Sequence, residues 1–401
     1  MLLVSTVRRR CPANATSGFI YAIDLQNQRI LRRCSIIETA YREVDTNPRG
    51  GMRGSKGIAV RNDQIALSND SMICRYDPQW NLLGVITHPS CAGIHDILFE
   101  GDTLWVSSAR NDIVMQFDIS GELLRHFYMR EPSPATDVLK WKPPVLLRGD
   151  QIHEGVIDFR DPRTHEKETY DRAHVNSICV LQNSDVLVSL GFVFGGDFAA
   201  LLRLKKQLVK WGVWRGFVAV NRRMRNAFEK NSKTMDDNLI IKPAKAQSAV
   251  VRISSDGTRS LCIVLPNVTA PSHSLHTLPD GTIIYLSTTN GSVLRIDPRS
   301  GNILSSTKVT DGFLRGITSL NDRTLLLGTR GELLTYDLSA KRVVKRMKIP
   351  TDLNEAVYDI KRLPSHYSMP PLSFEEHFKK AVGYEAKNLI LNNKNSVIHN
   401  K

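Results

Sequence analysis

Hydrophobic positions fall in short runs separated by Gly, Asn, Asp and Ser, and the runs recur along most of the chain. Thr103-Leu104-Trp105-Val106-Ser107-Ser108 and Thr282-Ile283-Ile284-Tyr285-Leu286-Ser287 are two examples, rich in β-branched and aromatic residues. Such runs are too short for helices and are bounded by turn residues, which predicts strands. A second kind of run ends in an aliphatic or aromatic residue followed by Asp: Ile23-Asp24, Tyr76-Asp77, Phe117-Asp118, Ile296-Asp297 and Tyr336-Asp337, with Ile253-Ser254 as a variant. A turn follows each, at Gln26-Asn27, Gln79-Trp80-Asn81, Ser120-Gly121, Asp256-Gly257, Ser300-Gly301 and Ser339-Ala340. Asp, Asn and Gly there are what a hairpin between antiparallel strands demands.

Each unit opens with a small-residue strand carrying Ile at a fixed place: Gly57-Ile58, Asp96-Ile97, Ser177-Ile178, Gly316-Ile317 and Asp359-Ile360, with His276 at the Ile position of the fourth unit. Four strands in about 40 residues is the size of one propeller blade. The count is six. The last unit supplies only its first strand, around Tyr358-Asp359-Ile360, while the chain start supplies three strands and no first one, at Leu2 to Val7, Gly18 to Asp24 and Ile30 to Ile36. The expected fold is therefore all-β, a six-bladed β-propeller over residues 1–363 closed by N- and C-terminal strands. Closure removes exposed sheet edges. An open β-solenoid is the rival, and it leaves the complementary ends unexplained. Two insertions break the period, 129–173 between blades two and three and 191–248 inside blade three. A tail, 364–401, is expected to carry a short helix from Ser373 to Ala381 with Ser373 as N-cap, and its loss beyond His366 is expected to be tolerated.

The chain has 401 residues, 41% hydrophobic and 23% charged, so it is neither disordered nor short of core. No apolar run is long enough for a transmembrane helix. The six cysteines form no C-x-x-C, and Met1 to Val7 runs directly into Arg8-Arg9-Arg10, unlike a secretory signal. A cytoplasmic protein with reduced thiols is expected, with peripheral membrane contact open.

In a propeller the first strand of each blade lines the central channel. Aligning the six units places Lys56, His95, Asn176, Ser274, Arg315 and Tyr358 in one column at its entrance, with Arg53, His174, His273 and His276 beside it. A polar ring suits any water-filled pore, but four of the chain's 11 histidines fall within three positions of this column. Histidines converging from different blades make an open metal site. The candidate ligands are His95, His174 and one of His273 or His276, with Asn176, Asp96 and Asp171 as residues that could orient the imidazoles. The cofactor expected is a divalent metal, whether zinc, iron or calcium.

The blade pattern resembles the NHL, strictosidine-synthase and gluconolactonase superfamily of six-bladed propellers, over residues 1–190 and 248–363. The ring of histidines from separate blades with Arg and Tyr is similar to that of the peptidyl-hydroxyglycine lyases, in which zinc sits on the axis. The resemblance implies His95, His174 and His276 as ligands, Tyr358 as a base, and Arg53 or Arg315 as a substrate anchor.

The stretch from Asp150 to Asp171, with His153, His165 and several acids, reads as a solvated loop or as a lid over the channel. Residues 201–233 hold ten Lys or Arg against one acid, Glu229, a net of +9 within the chain's +14. Leu201, Leu204, Leu208, Trp211 and Val218 recur at helical spacing there. A basic amphipathic helix either packs on the propeller or meets an anionic membrane surface. Nucleic-acid binding is not expected, because no stacking platform accompanies the charge. No Walker A, G-x-G-x-x-G, G-x-S-x-G or H-E-x-x-H motif occurs. The function expected is an enzyme using Lys56, Arg53, Arg315 and Tyr358 around a His-ringed axial site, on a small or amphipathic organic substrate, by lyase, hydrolase or group-transfer chemistry. The alternative is a non-catalytic scaffold that binds a protein partner or an anionic membrane.

Overall fold

The computed structural model describes residues 1–9, 11, 15–36, 41, 44, 56–139, 147–165, 170–193, 207, 211–213, 247–265, 271–352 and 354–380. These form six four-stranded antiparallel sheets. Blade one comprises Ile58–Val60, Ile65–Ser68, Met72–Tyr76 and Leu82–Thr87; blade two comprises Ile94–Glu100, Thr103–Ser108, Ile113–Asp118 and Leu123–Tyr128. Blade three is Val175–Val180, Val186–Val193, Gln247–Ile253 and Arg259–Leu265, and blade four is His273–Thr277, Ile283–Ser287, Ser292–Asp297 and Asn302–Lys308. Blade five is Ile317–Asn321, Thr324–Gly328, Glu332–Asp337 and Arg342–Lys348. Blade six joins Glu355–Arg362 to Leu2–Arg8, Gly18–Asp24 and Arg29–Ile36, with Leu2 paired to Arg362 and Val4 to Ile360. Each blade's first strand lies against those of its two neighbours, so the six close a ring around one channel. The chain is a six-bladed β-propeller latched by strands from its two ends.

The recurring Asp has a local cause. Its carboxylate accepts amide hydrogens from the turn that follows: Asp24 from Asn27, Asp77 from Gln79 and Asn81, Asp118 from Gly121 and Glu122, Asp297 from Arg299, Asp337 from Ser339 and Ala340. The side chain thus closes the hairpin that the backbone alone would leave loose. The residue before each turn is buried, from Ile23 and Tyr76 to Tyr336. Facing blades pack into separate apolar cores. Blades two and three, for example, share Trp105, Val114, Val188 and Val251.

The first strands are tied to one another by side chains. Asp96 Oδ2 accepts from the Ile178 amide and the Ser177 hydroxyl, Ser177 Oγ accepts from the Leu275 amide, Ser274 Oγ from the Gly316 amide, and Asp359 Oδ2 from the Ile58 amide. Polar residues of the channel wall therefore serve as blade-to-blade latches.

Two expectations change here. The stretch Gly149–Glu154 is a short helix, and Leu147, Ile152 and Phe159 are buried in the core shared by blades one and two. The Phe159 amide donates to the Pro89 carbonyl, so this part of the segment packs on the loop leading into blade two, while Asp171 at its end bonds the His174 ring. The tail also docks. Tyr367, Phe374 and Phe378 are buried against Tyr76, Trp80, Cys34 and Ile36, so its described part, up to Lys380, belongs to the core between blades six and one. Ser373 Oγ accepts from the Glu375 amide at the start of a helical turn over 375–380. Of the basic insertion only 207 and 211–213 are described, so its predicted helices lie outside the described residues; Trp211 and Val213 are exposed. No helix among the described residues is long and apolar enough to cross a membrane.

Candidate metal centre

The channel encloses a chamber of about 430 Å³ lined by His95, Asn176, His273, Arg315 and Tyr358 at one level and by Asp96, His276, Asp359 and Lys361 at others. Local distortions place these side chains. In blades two, three, four and six the strand register slips by one residue, leaving His95, Asn176, Ser274 and Tyr358 unpaired with the neighbouring strand. Such bulges re-aim a side chain and are found beside functional sites.

His95, His174 and His273 converge. One ligand nitrogen from each lies within 4.8 Å of the others. His95 Nδ1 is 2.7 Å from the Gly93 carbonyl, His174 Nδ1 is 3.1 Å from Asp171 Oδ1, and His273 Nδ1 is 3.2 Å from Thr288 Oγ1. A carbonyl and a carboxylate only accept, so His95 and His174 carry the proton on Nδ1 and present the Nε2 lone pair. This donor set fits a transition metal: three imidazoles, each fixed by a second partner through Nδ1. Burial, reinforced by neighbouring His174, Lys56 and Arg315, holds His95 well below the usual imidazole range. Burial and Arg315 do the same for His273. Both are neutral at pH 7.

The remaining predicted residues are distributed as follows. His276 Nε2 is 2.7 Å from Ser319 Oγ, outside the convergent group, and burial lowers its pKa to about 4. Asp171 bonds the His174 ring, whereas Asp96 and Asn176 bond neighbouring backbone; Asn176 Nδ2 donates to the Ser272 carbonyl. Burial and the charge of Asp359 push Asp96 up to about 6, while the Lys361 ammonium, 2.8 Å from Asp359, works against that rise. Lys56 is buried and paired with Asp70 at 2.5 Å, and Arg110 holds the second oxygen of Asp70 at 2.9 Å. The Arg315 guanidinium lies 3.3 Å from the centre of the Tyr358 ring, a face-on cation–π contact. Burial drives the Tyr358 hydroxyl well above the ordinary tyrosine range, with Arg315 offsetting part, so it is protonated at neutral pH. That hydroxyl has no hydrogen-bond partner among the described residues. Arg53 lies outside the described residues.

Sequence reading missed Asp70, Asp112 and Thr288. The first two follow Asn in Asn69-Asp70 and Asn111-Asp112, a recurrence between the second and third strands of consecutive blades that was available in the repeat.

A six-bladed propeller with three histidines converging in its axial chamber is the class that fold and site define. No family model matches the sequence, and no curated protein does. Solved structures with similar folds include a catalytically inactive variant of virginiamycin B lyase from Staphylococcus aureus with quinupristin, at 14% identity over 75% of this chain and 71% of that one, with a TM-score of 0.43. A putative gluconolactonase is 12% identical over 76% of this chain and 81% of its own, with a TM-score of 0.42. A protein of unknown function from Bacteroides caccae is 11% identical over 90% and 97%, with a TM-score of 0.49. At these identities the likeness is one of fold alone.

Proposed function

We propose that the protein is a metal-dependent enzyme of the lyase or hydrolase type, with His95, His174 and His273 holding a divalent ion in the axial chamber. One observation carries the reading: three imidazoles from three blades converge, each with Nδ1 already engaged. Nitrogen donors favour zinc or iron over calcium, which prefers oxygen. When bound, such an ion supplies Lewis-acid activation of a substrate oxygen or of water. Arg315 and Tyr358 line the same chamber. The protonated Tyr358 hydroxyl donates a hydrogen bond, or a proton, to charge developing on substrate. Arg315 holds the ring from its face and adds positive charge at short range. The chamber's volume suits a small organic substrate. The hydroxyglycine-lyase likeness read from the sequence implies Tyr358 as a base, Arg53 or Arg315 as a substrate anchor and His276 as a ligand; here the protonated Tyr358 is instead a donor, and His273 is the third ligand.

Elemental analysis of purified protein tests the reading. About one zinc or iron per chain, lost together with activity in His95→Ala, is expected. Absence of stoichiometric metal, even after incubation with zinc, refutes it and leaves a scaffold.

A further inference from the structure

Of the three convergent histidines, only His174 has a strained backbone, with φ at +52°. The equivalent lead-in position of blade two is Gly93, at +66°. Left-handed geometry is easy for glycine and costs free energy in any residue with a Cβ, so it persists where the surroundings over-determine it. Part of the constraint is strand pairing, with the Gly191 amide on the His174 carbonyl at 3.2 Å and the Phe192 amide on the Ala173 carbonyl at 2.9 Å, and the rest comes from one side chain. Asp112 is fully buried in the turn between the second and third strands of blade two. Its Oδ2 accepts the amide hydrogens of Arg172 at 2.9 Å and Ala173 at 2.8 Å, and its Oδ1 accepts that of His174 at 2.9 Å. Three consecutive peptide units are thus pinned by one carboxylate, and the pinned segment ends on the strained histidine.

We infer that Asp112 is a positioning residue for the metal centre: its carboxylate clamps the 172–174 backbone and so aims the His174 imidazole at His95 and His273. This rests on the metal-centre reading. Asp171 acts on the same residue differently, fixing the ring's rotation and tautomer through Nδ1. Backbone and ring are therefore set by separate carboxylates. Blade one repeats the device. Asp70, in the corresponding turn, accepts from the Gly93 amide at 3.3 Å through Oδ2 and from the Ile94 amide at 3.0 Å through its main-chain carbonyl, two positions and one position before His95. Each of these two ligands is thus placed by the blade that precedes its own.

Cobalt titration of the full chain against a chromophoric chelator, with the visible cobalt absorption recorded, tests the inference. Asp112→Asn keeps the shape but offers one acceptor oxygen where the carboxylate has two. It is expected to weaken cobalt binding about 10- to 100-fold, the range for residues behind a ligand. The visible band should shift toward that of His174→Ala. In a His174→Ala background the same change should add nothing, because the clamp acts only through that histidine. Wild-type affinity in Asp112→Asn, or an undiminished further loss on top of His174→Ala, overturns the inference while leaving the metal centre standing. A wild-type chain that binds no cobalt overturns both. If Asp112→Asn does not fold, amide hydrogen exchange of the wild type decides: amides 172–174 should exchange as slowly as those of Ile113–Asp118, and exchange at free-loop rates overturns the clamp.

Discussion

Replacing Phe374 by Ala should destabilise a propeller in which Phe374 belongs to no blade. The side chain is fully buried, its ring centre 5.5 Å from that of Tyr76 and 5.6 Å from that of Trp80. The segment carrying it is fastened at several points, among them the Trp80 indole donating to the Ser368 carbonyl at 2.8 Å, the Ser368 amide to the Pro78 carbonyl at 3.0 Å, and the Phe374 amide to the Ser35 carbonyl at 3.1 Å. With the backbone held, the hole cannot collapse, so the cost lies in the range for large-to-small changes in rigid cores, about 3–5 kcal/mol. Against a typical total of about 5–15 kcal/mol that is a large fraction. Urea unfolding followed by tryptophan fluorescence reads it directly, because Trp80 sits in the affected core. Phe378→Ala should cost a similar amount, and the double variant less than the two singles together, since both rings share one cluster. A loss below about 0.5 kcal/mol, the range of surface substitutions, would show that the tail does not dock.

Further outcomes are expected elsewhere. His276 is mostly buried with its pKa lowered from 6.5 to about 4, so the unfolded chain takes up its proton first as pH falls. The stability it supports is complete above pH 6.5 and is lost toward pH 4, so wild type minus His276→Gln should shrink by about 3 kcal/mol across that window in denaturation series; a flat difference refutes the burial argument. Tyr358→Phe should leave zinc content unchanged and lower turnover by about 10²–10³-fold, the effect of one lost transition-state donor, once a substrate is in hand; unchanged turnover removes Tyr358 from the chemistry. Replacing Lys205, Lys206, Arg222 and Arg223 by Glu should abolish sedimentation with phosphatidylserine vesicles at low salt, and a wild type that ignores such vesicles ends the membrane reading.

The blades were legible because hairpin chemistry is local. An Asp that caps its own turn recurs in five of the six hairpins, with Ser254 in the sixth, and an Ile facing a neighbouring blade recurs in five of the six first strands for the same local reason. The third histidine was not legible. Residues 273 and 276 are three apart, so strict alternation puts them on opposite faces of a strand. The register slip at Ser274 breaks that alternation, and only coordinates reveal it. Asp112 was hidden differently, because an Asp between strands reads as a turn former whatever its carboxylate grips. The tail's Phe374 and Phe378 stand at helical spacing, but no pattern within the tail names the cleft between Tyr76 and Trp80 that receives them.

The latch that unites the two ends of the chain also sets a schedule. Strand Leu2–Arg8 finds its inner partner only when Glu355–Arg362 emerges. At roughly 5–20 residues per second, synthesis separates the two by roughly 20–70 s. For that interval the earliest strands offer an unfilled edge while five later blades have time to form, and the ring cannot be completed before its final strand arrives. Such late, non-local pairing slows folding and invites capture by other chains. Until Glu355–Arg362 has emerged, the edge of strand Leu2–Arg8 stays open to pairing with other chains.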